Sequence, residues 1–186
     1  MVRSLILCEG EGDKALLGKY LSYLGIDKKH INMLSMSGKP NFFNTDHSNY
    51  KIVKQQLGVQ FNKVLFVLDA DINSKNGDEK YGGYSKTESN IKNIISDLNI
   101  AHLSDFFIFC DPLTTNGNLE HFLLSTTNES KRNCIENLVS CIENQGVYSN
   151  KKIVVSAYQH IFNDQPYSFD HVYFNTLKEK LTWLTT

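Results

Sequence analysis

Several features that would assign this chain quickly are missing. Its cysteines, Cys8, Cys110, Cys134 and Cys141, show no CxxC spacing, and the N-terminus turns polar after Leu7-Cys8, too soon for a signal peptide. A reducing, cytoplasmic setting follows from both. No apolar run approaches the length that spans a bilayer. Charge of one sign is also lacking: 19 basic residues against 20 acidic give a net charge of -1. No global basic field can hold a polyanion, so any nucleic-acid binding rests on local patches or bound cations. Internal repeats and low-complexity tracts are absent. What remains is 186 residues, 41% apolar and 11% aromatic, enough for one sizeable core and too little for two independent domains.

The most informative stretch runs from Lys63 to Asp71, where Val64-Leu65-Phe66-Val67-Leu68 leads straight into Asp69-Ala70-Asp71. A continuous apolar run without polar alternation reads as a strand buried on both faces of a parallel sheet. Ligands of such sheets sit beyond the carboxyl ends of the strands. With extended geometry continuing to Asp71, the two acids share a face, because alternate side chains of a strand do.

Other elements fall in order around that strand. Ser4 to Cys8 is a short apolar strand, followed by the tight turn Glu9-Gly10-Glu11-Gly12-Asp13. Residues 14–24 align Leu17, Tyr20, Leu21 and Leu24 on one helical face, and Gly25 is a stop. Residues 31–36 form a second strand, Ser37 to Pro40 a loop, and residues 49–57 a helix. After Asp71, residues 73–83 read as an exposed loop whose Lys75 and Lys80 reach a substrate. Ser85-Lys86-Thr87-Glu88 has the capping-box pattern and opens a helix through Ile91, Ile94, Ile95 and Leu98. Residues 106–110 are the fourth strand.

Strands alternating with helices in this way argue an α/β sheet of about four mostly parallel strands flanked by helices, with a core over residues 1–112. Residues 113–186 read as a helical extension that packs on the core or forms a lid. Asn118 caps a short helix carrying Glu120, residues 128–143 hold Cys134 and Cys141 as small core residues, and residues 172–184 align Tyr173, Leu177, Leu181 and Leu184. Trp183 anchors the last helix.

A doubly wound sheet brings Glu9, Asp69 and Asp71 to one edge, and oxygen-rich clusters of this kind suit hard cations such as Mg²⁺. Here the residues resemble the Toprim domain, which pairs a Glu after its first strand with a DxD after its third. Glu9 in Leu-Cys-Glu-Gly and Asp69 with Asp71 in Leu-Asp-Ala-Asp match, within an element order covering residues 5–112. Members of the OLD type look closest, since they carry a further acid four residues after the first Glu, where Asp13 stands. The resemblance implies a Rossmann-like α/β/α sheet and Mg²⁺-dependent (or Mn²⁺-dependent) breakage of phosphodiester bonds, of the nuclease or nicking type. It implies Glu9 as catalytic acid or base, and Asp69, Asp71, Asp13 and Glu120 as metal ligands. The partner implied is DNA or RNA; association with other proteins or with further copies of the chain stays open, and no membrane is involved. No tyrosine can be assigned as a topoisomerase nucleophile, and neither a primase zinc module nor a GxxxxGK[ST] loop is present.

Other readings compete. A GT-A glycosyltransferase also carries a DxD after an apolar strand, but the early Glu-Gly-Glu-Gly-Asp turn does not suit it. A haloacid dehalogenase-type phosphatase wants its DxD near the N-terminus, and a receiver domain wants a later Lys and hydroxyl. A non-catalytic metal- or phosphate-binding module explains the acids without turnover. Individually, Glu11 reads as solvated, Asp111 as a turn residue before Pro112, and His160, His171 and the lysine pairs as surface.

Overall fold

A computed structural model of the protein describes residues 3–71, 82–143 and 151–186. The candidate substrate-reaching Lys75 and Lys80 lie outside the described residues. In chain order the elements are β1 (Arg3–Cys8), α1 (Glu11–Tyr23), β2 (Ile31–Ser35), α2 (Lys39–Phe42), α3 (Ser48–Gln56), β3 (Phe61–Asp69), α4 (Tyr84–Asp97), β4 (Ser104–Phe109), α5 (Leu119–Ser125), α6 (Glu129–Glu143), α7 (Lys151–Phe162) and α8 (Asn175–Thr185). Short 3₁₀ turns precede β2, β4 and α8.

The four strands form one sheet in the order β2-β1-β3-β4, and every pairing is parallel. The fold is therefore the Rossmann-like α/β class that the apolar runs call for. Parallel strands need crossover helices, and these cover both faces of the sheet. On one face Leu5, Leu7, Val64, Phe66 and Leu68 pack with α3 and α4; on the other Ile6, Leu65 and Val67 pack with α1, α5 and α8. The alternation along β3 thus feeds two cores, which is why its sequence shows no polar residue between Val64 and Leu68.

The last helix decides how the C-terminal third relates to the sheet. Leu177, Leu181 and Leu184 recur at i, i+4 and i+7 and are each 0% exposed. Full burial of three leucines contributes about 5–9 kcal/mol as an upper figure. Ser4 Oγ donates to the Leu184 carbonyl, and Lys63 Nζ donates to the Trp183 carbonyl at 2.7 Å with its ammonium over the indole ring. So α8 closes a sheet face and is no lid. A smaller cluster of Leu124, Ile135, Val154 and Tyr158 joins α5, α6 and α7.

Three local readings need correction. Cys134 and Cys141 are exposed, because Cys134, Leu138 and Cys141, spaced i, i+4, i+7, form a stripe of α6 that the buried Ile135 does not share. The stretch Ser37 to Pro40 is not all loop: Pro40 stands in the first turn of α2, where its missing N–H costs nothing. Helix α4 begins at Tyr84 with Gly83 as its cap, so Ser85 caps nothing, and Thr87 Oγ1 instead donates to the Ala70 carbonyl at 3.3 Å. No helix among the described residues is long and apolar enough to cross a membrane.

Candidate functional site

The chain leaves β1 toward β2 and leaves β3 toward β4, so the crossovers diverge between β1 and β3. A crevice opens at such a switch point, beyond the carboxyl ends of the strands. Glu9 follows β1 directly, and its backbone N–H bonds the Val67 carbonyl at 3.0 Å. Asp69 ends β3, and its N–H donates to Glu9 Oε2 at 3.2 Å. The Glu9 carboxylate is thereby held against the carboxyl end of β3, across adjacent strands.

Asp69 is fixed from a second direction. Its Oδ1 accepts the backbone N–H of Leu119 at 2.8 Å, which ties the first turn of α5 to the end of β3. Asn118 caps that helix by accepting the His121 N–H. Asp13 lies in the first turn of α1, buried, and accepts the Gly10 N–H at 2.8 Å. That bond is ordinary helix capping. What capping does not explain is the burial of the acid beside other acids.

Protonation reports the crowding. Burial pushes Glu9 up to about 7, with the Asp71 and Asp13 charges adding to it and the Asp69 N–H and Lys39 opposing. Burial likewise lifts Asp13 to about 6, with Glu120 repelling it and Lys152 relieving it. Asp69 rises well above the usual carboxylate range because it is buried, and then because Asp13, Glu9 and Asp71 surround it. Buried, mutually repelling carboxylates are a strained arrangement for a metal-free fold and a familiar one for a functional site. Glu120 joins the edge of this group, half-buried and 3.9 Å from Lys152 Nζ.

Asp71 departs from expectation. Strand β3 stops at Asp69, and Asp71 has φ +63, so the shared-face geometry of a continuing strand does not apply. Its backbone instead makes an isolated antiparallel bridge with Gly117, through N···O distances of 2.7 and 3.1 Å. Gly117 has φ +91, and a Cβ there would overlap the His121 ring. Gly117→Ala is therefore expected to destabilise the fold by about 2–4 kcal/mol, read as a lowered urea midpoint. A change under about 0.5 kcal/mol would show that the bridge does not anchor the turn.

Two residues at this edge carry no signal in the local sequence pattern. Lys39 is 5% exposed and forms an ion pair with Asp71 Oδ2 at 2.9 Å. Nothing in the local pattern separates it from the other lysines; only the folding of α2 over the strand ends brings it in. His121 is the other, held below its usual range by burial and by Lys151. Asp111 is a turn residue, with Oδ1 accepting the Leu113 N–H.

The donor set is all oxygen, which fits a hard cation in type and charge. Among the described residues no three carboxylate, imidazole or thiolate groups already stand in a ligating arrangement. A groove of about 460 Å³ runs elsewhere, along the open edge of β4. Its two charged lining residues, Glu88 and Lys180, are already paired with Lys92 and Asp105. The fold and site thus define a Rossmann-like α/β protein with buried and half-buried carboxylates at its switch point. No family model, curated protein or solved structure matches the chain.

Proposed function

We propose that this chain is a Toprim-like protein carrying out Mg²⁺-dependent phosphodiester chemistry on nucleic acid, of the nuclease or nicking type. The observation that carries the reading is the convergence of buried Asp13 with half-buried Glu9 and Asp69, each raised by its neighbours' charges, at the β1/β3 switch point. An ion bound there would polarise the phosphodiester and stabilise the leaving oxygen. Asp69 and Asp13 would hold it, with Glu120 at the rim. Asp69 is positioned for this by the Leu119 N–H, which fixes one oxygen and leaves the other.

Glu9 has a separate qualification. A group titrating near 7 can both hold and release a proton at working pH, which suits general acid or base catalysis. Its contact with the Asp69 N–H keeps it at the strand end while the proton moves. The positive charge of Lys39 and Lys152 lowers the cost of bringing a phosphate to so acidic an edge.

A second reading, a metal- or phosphate-binding module without turnover, is favoured by the absence of a preformed ligating trio among the described residues. One experiment separates the two. Labelled single- and double-stranded DNA and RNA are incubated with the protein and Mg²⁺ or Mn²⁺, with chelator as control, alongside calorimetric titration of the metal. Cleavage of at least one substrate is expected, abolished by chelator and reduced at least 100-fold in Asp69→Asn, which also weakens metal binding. Metal binding without cleavage of any substrate would leave the module reading, and absence of both would remove the metal from the account.

A further inference from the structure

Strand β4 is outermost in the sheet, and among the described residues no strand pairs with its far side. In a strand the N–H and C=O of one residue point the same way and alternate from residue to residue. The Phe109 carbonyl accepts from Ala70 on the β3 side, so Phe106, Ile108 and Cys110 turn their backbone groups outward. Of these groups, only the Phe106 N–H has a partner among the described residues, Asp105 Oδ1 at 2.7 Å. The groove of about 460 Å³ lies along this edge, between Tyr84 of α4 and Val172 in the 3₁₀ turn before α8. Val172 is 64% exposed, and Leu113, just past the strand, is 81% exposed. Unpaired backbone beside bare apolar side chains is a template for another strand.

Which strand fits follows from β4 itself. The stretch Asp105-Phe106-Phe107-Ile108-Phe109-Cys110-Asp111 has the same character read from either end, with Ile108 at its centre. Laid antiparallel on a second copy, it sets Ile108 against Ile108, Phe106 against Cys110 and Phe107 against Phe109, apolar against apolar on both faces. We infer that β4 is a self-pairing edge: two copies of the chain join antiparallel through β4, about a two-fold axis at Ile108, into one continuous sheet. Pro112, which has no N–H, ends the pairing and limits slippage. The charges agree as well. Asp105 of one copy falls opposite Asp111 of the other, and these would repel but for Lys180, whose ammonium donates to both Asp105 oxygens at 2.7 Å. An ammonium has three protons, and the third has no acceptor among the described residues. Asp111, whose Oδ1 accepts the Leu113 N–H, enters no ion pair among them. Lys180 thus has a proton to give where the second copy brings an unpaired carboxylate, and the two-fold axis makes that contact twice.

Sedimentation velocity in chelator and thiol reductant reads this partnership apart from any metal chemistry and from the exposed Cys134 and Cys141. At about 50 µM the parent is expected to run at twice the mass of one chain. Val172→Lys and Asp111→Lys should each weaken the dimer at least tenfold, with the melting temperature of the monomer within about 2 °C of the parent's. Val59→Lys is the control: that valine, 81% exposed, stands outside the groove, and the dimer should be unchanged. Register is read by crosslinking in a Cys134→Ser, Cys141→Ser background. There Phe106→Cys faces Cys110 of the second copy at the roughly 5.5 Å Cα separation of a hydrogen-bonded antiparallel pair, which a disulfide can bridge. Oxidation by copper phenanthroline should give a covalent dimer from Phe106→Cys and none from Ser104→Cys, which falls opposite Pro112. A monomeric parent would overturn the proposal and leave the edge to a strand of another protein. A dimer untouched by Val172→Lys and Asp111→Lys would place the interface elsewhere and overturn it equally. A dimer that Phe106→Cys fails to crosslink would overturn the two-fold register about Ile108.

Discussion

Glu9→Gln is expected to raise the melting temperature of the metal-free protein at pH 8 and to remove Mg²⁺-dependent cleavage in the same step. The two effects share one cause. Burial lifts Glu9 from its ordinary 4.5 to about 7, so at pH 8 the fold must hold an ionised carboxylate that it disfavours. That strain corresponds to about 3 kcal/mol at most, and about 1–3 kcal/mol after allowance for partial exposure. A chain of this length gains roughly 2–4 °C per kcal/mol, which sets the expected rise at about 2–12 °C. Glutamine keeps an oxygen to accept the Asp69 N–H, so the strand ends stay joined while the charge is lost. Cleavage should fall at least 100-fold, because an amide neither ligates as a carboxylate does nor exchanges a proton near pH 7. Differential scanning fluorimetry in chelator and a labelled-substrate assay read the two halves. A melting temperature lowered by several degrees, with no turnover in the parent, would make the acids structural and leave the Toprim resemblance a matter of fold.

Much of this site is legible in the sequence because its parts are local. The run from Val64 to Leu68 can be buried on both faces only in a parallel sheet, and a parallel sheet delivers the ends of β1 and β3 to one crevice. Glu9 follows β1 and Asp69 ends β3, so their meeting needs nothing beyond topology. Asp71 shows where local reasoning stops. Period-2 alternation holds only while the backbone stays extended, and the bridge to Gly117, 46 positions along by subtraction, turns it out of register. Lys39 is illegible for the same kind of reason: a lysine before a proline in a glycine-containing stretch reads as solvated turn, and its burial depends on the α2 turn lying over two strand ends. Cys134 and Cys141 are exposed rather than core because helical periodicity identifies faces without saying which face is covered.

The pH dependence of the metal-free protein should run opposite to that of most acid-sensitive proteins. Glu9 and Asp13 are raised to about 7 and about 6 when folded, against ordinary values of 4.5 and 3.8, and Asp69 is raised well above its ordinary range too. A carboxyl with a raised folded value binds its proton more tightly in the native state, so stability is highest below about pH 4 for these groups and falls as pH rises through 7. The sum for Glu9 and Asp13 is on the order of 3–6 kcal/mol, reduced from simple addition because the two groups share neighbours. His121 opposes the trend: its lowered folded value means that stability from this residue is lost as pH drops below about 6.5. One half-buried histidine is outweighed by three acids with raised folded values. The expected result is a metal-free urea midpoint that declines from pH 5 to pH 8, and a thermal stabilisation by saturating Mg²⁺ that grows over the same interval, because the ion binds the deprotonated cluster and must displace fewer protons as pH rises. In Glu9→Gln the metal-free decline should flatten by about half. A midpoint that rises from pH 5 to pH 8 in the parent would mean that the carboxylates at the β1/β3 crevice are relieved by contacts inside the fold, and a cluster so relieved has no unmet charge to offer a metal ion.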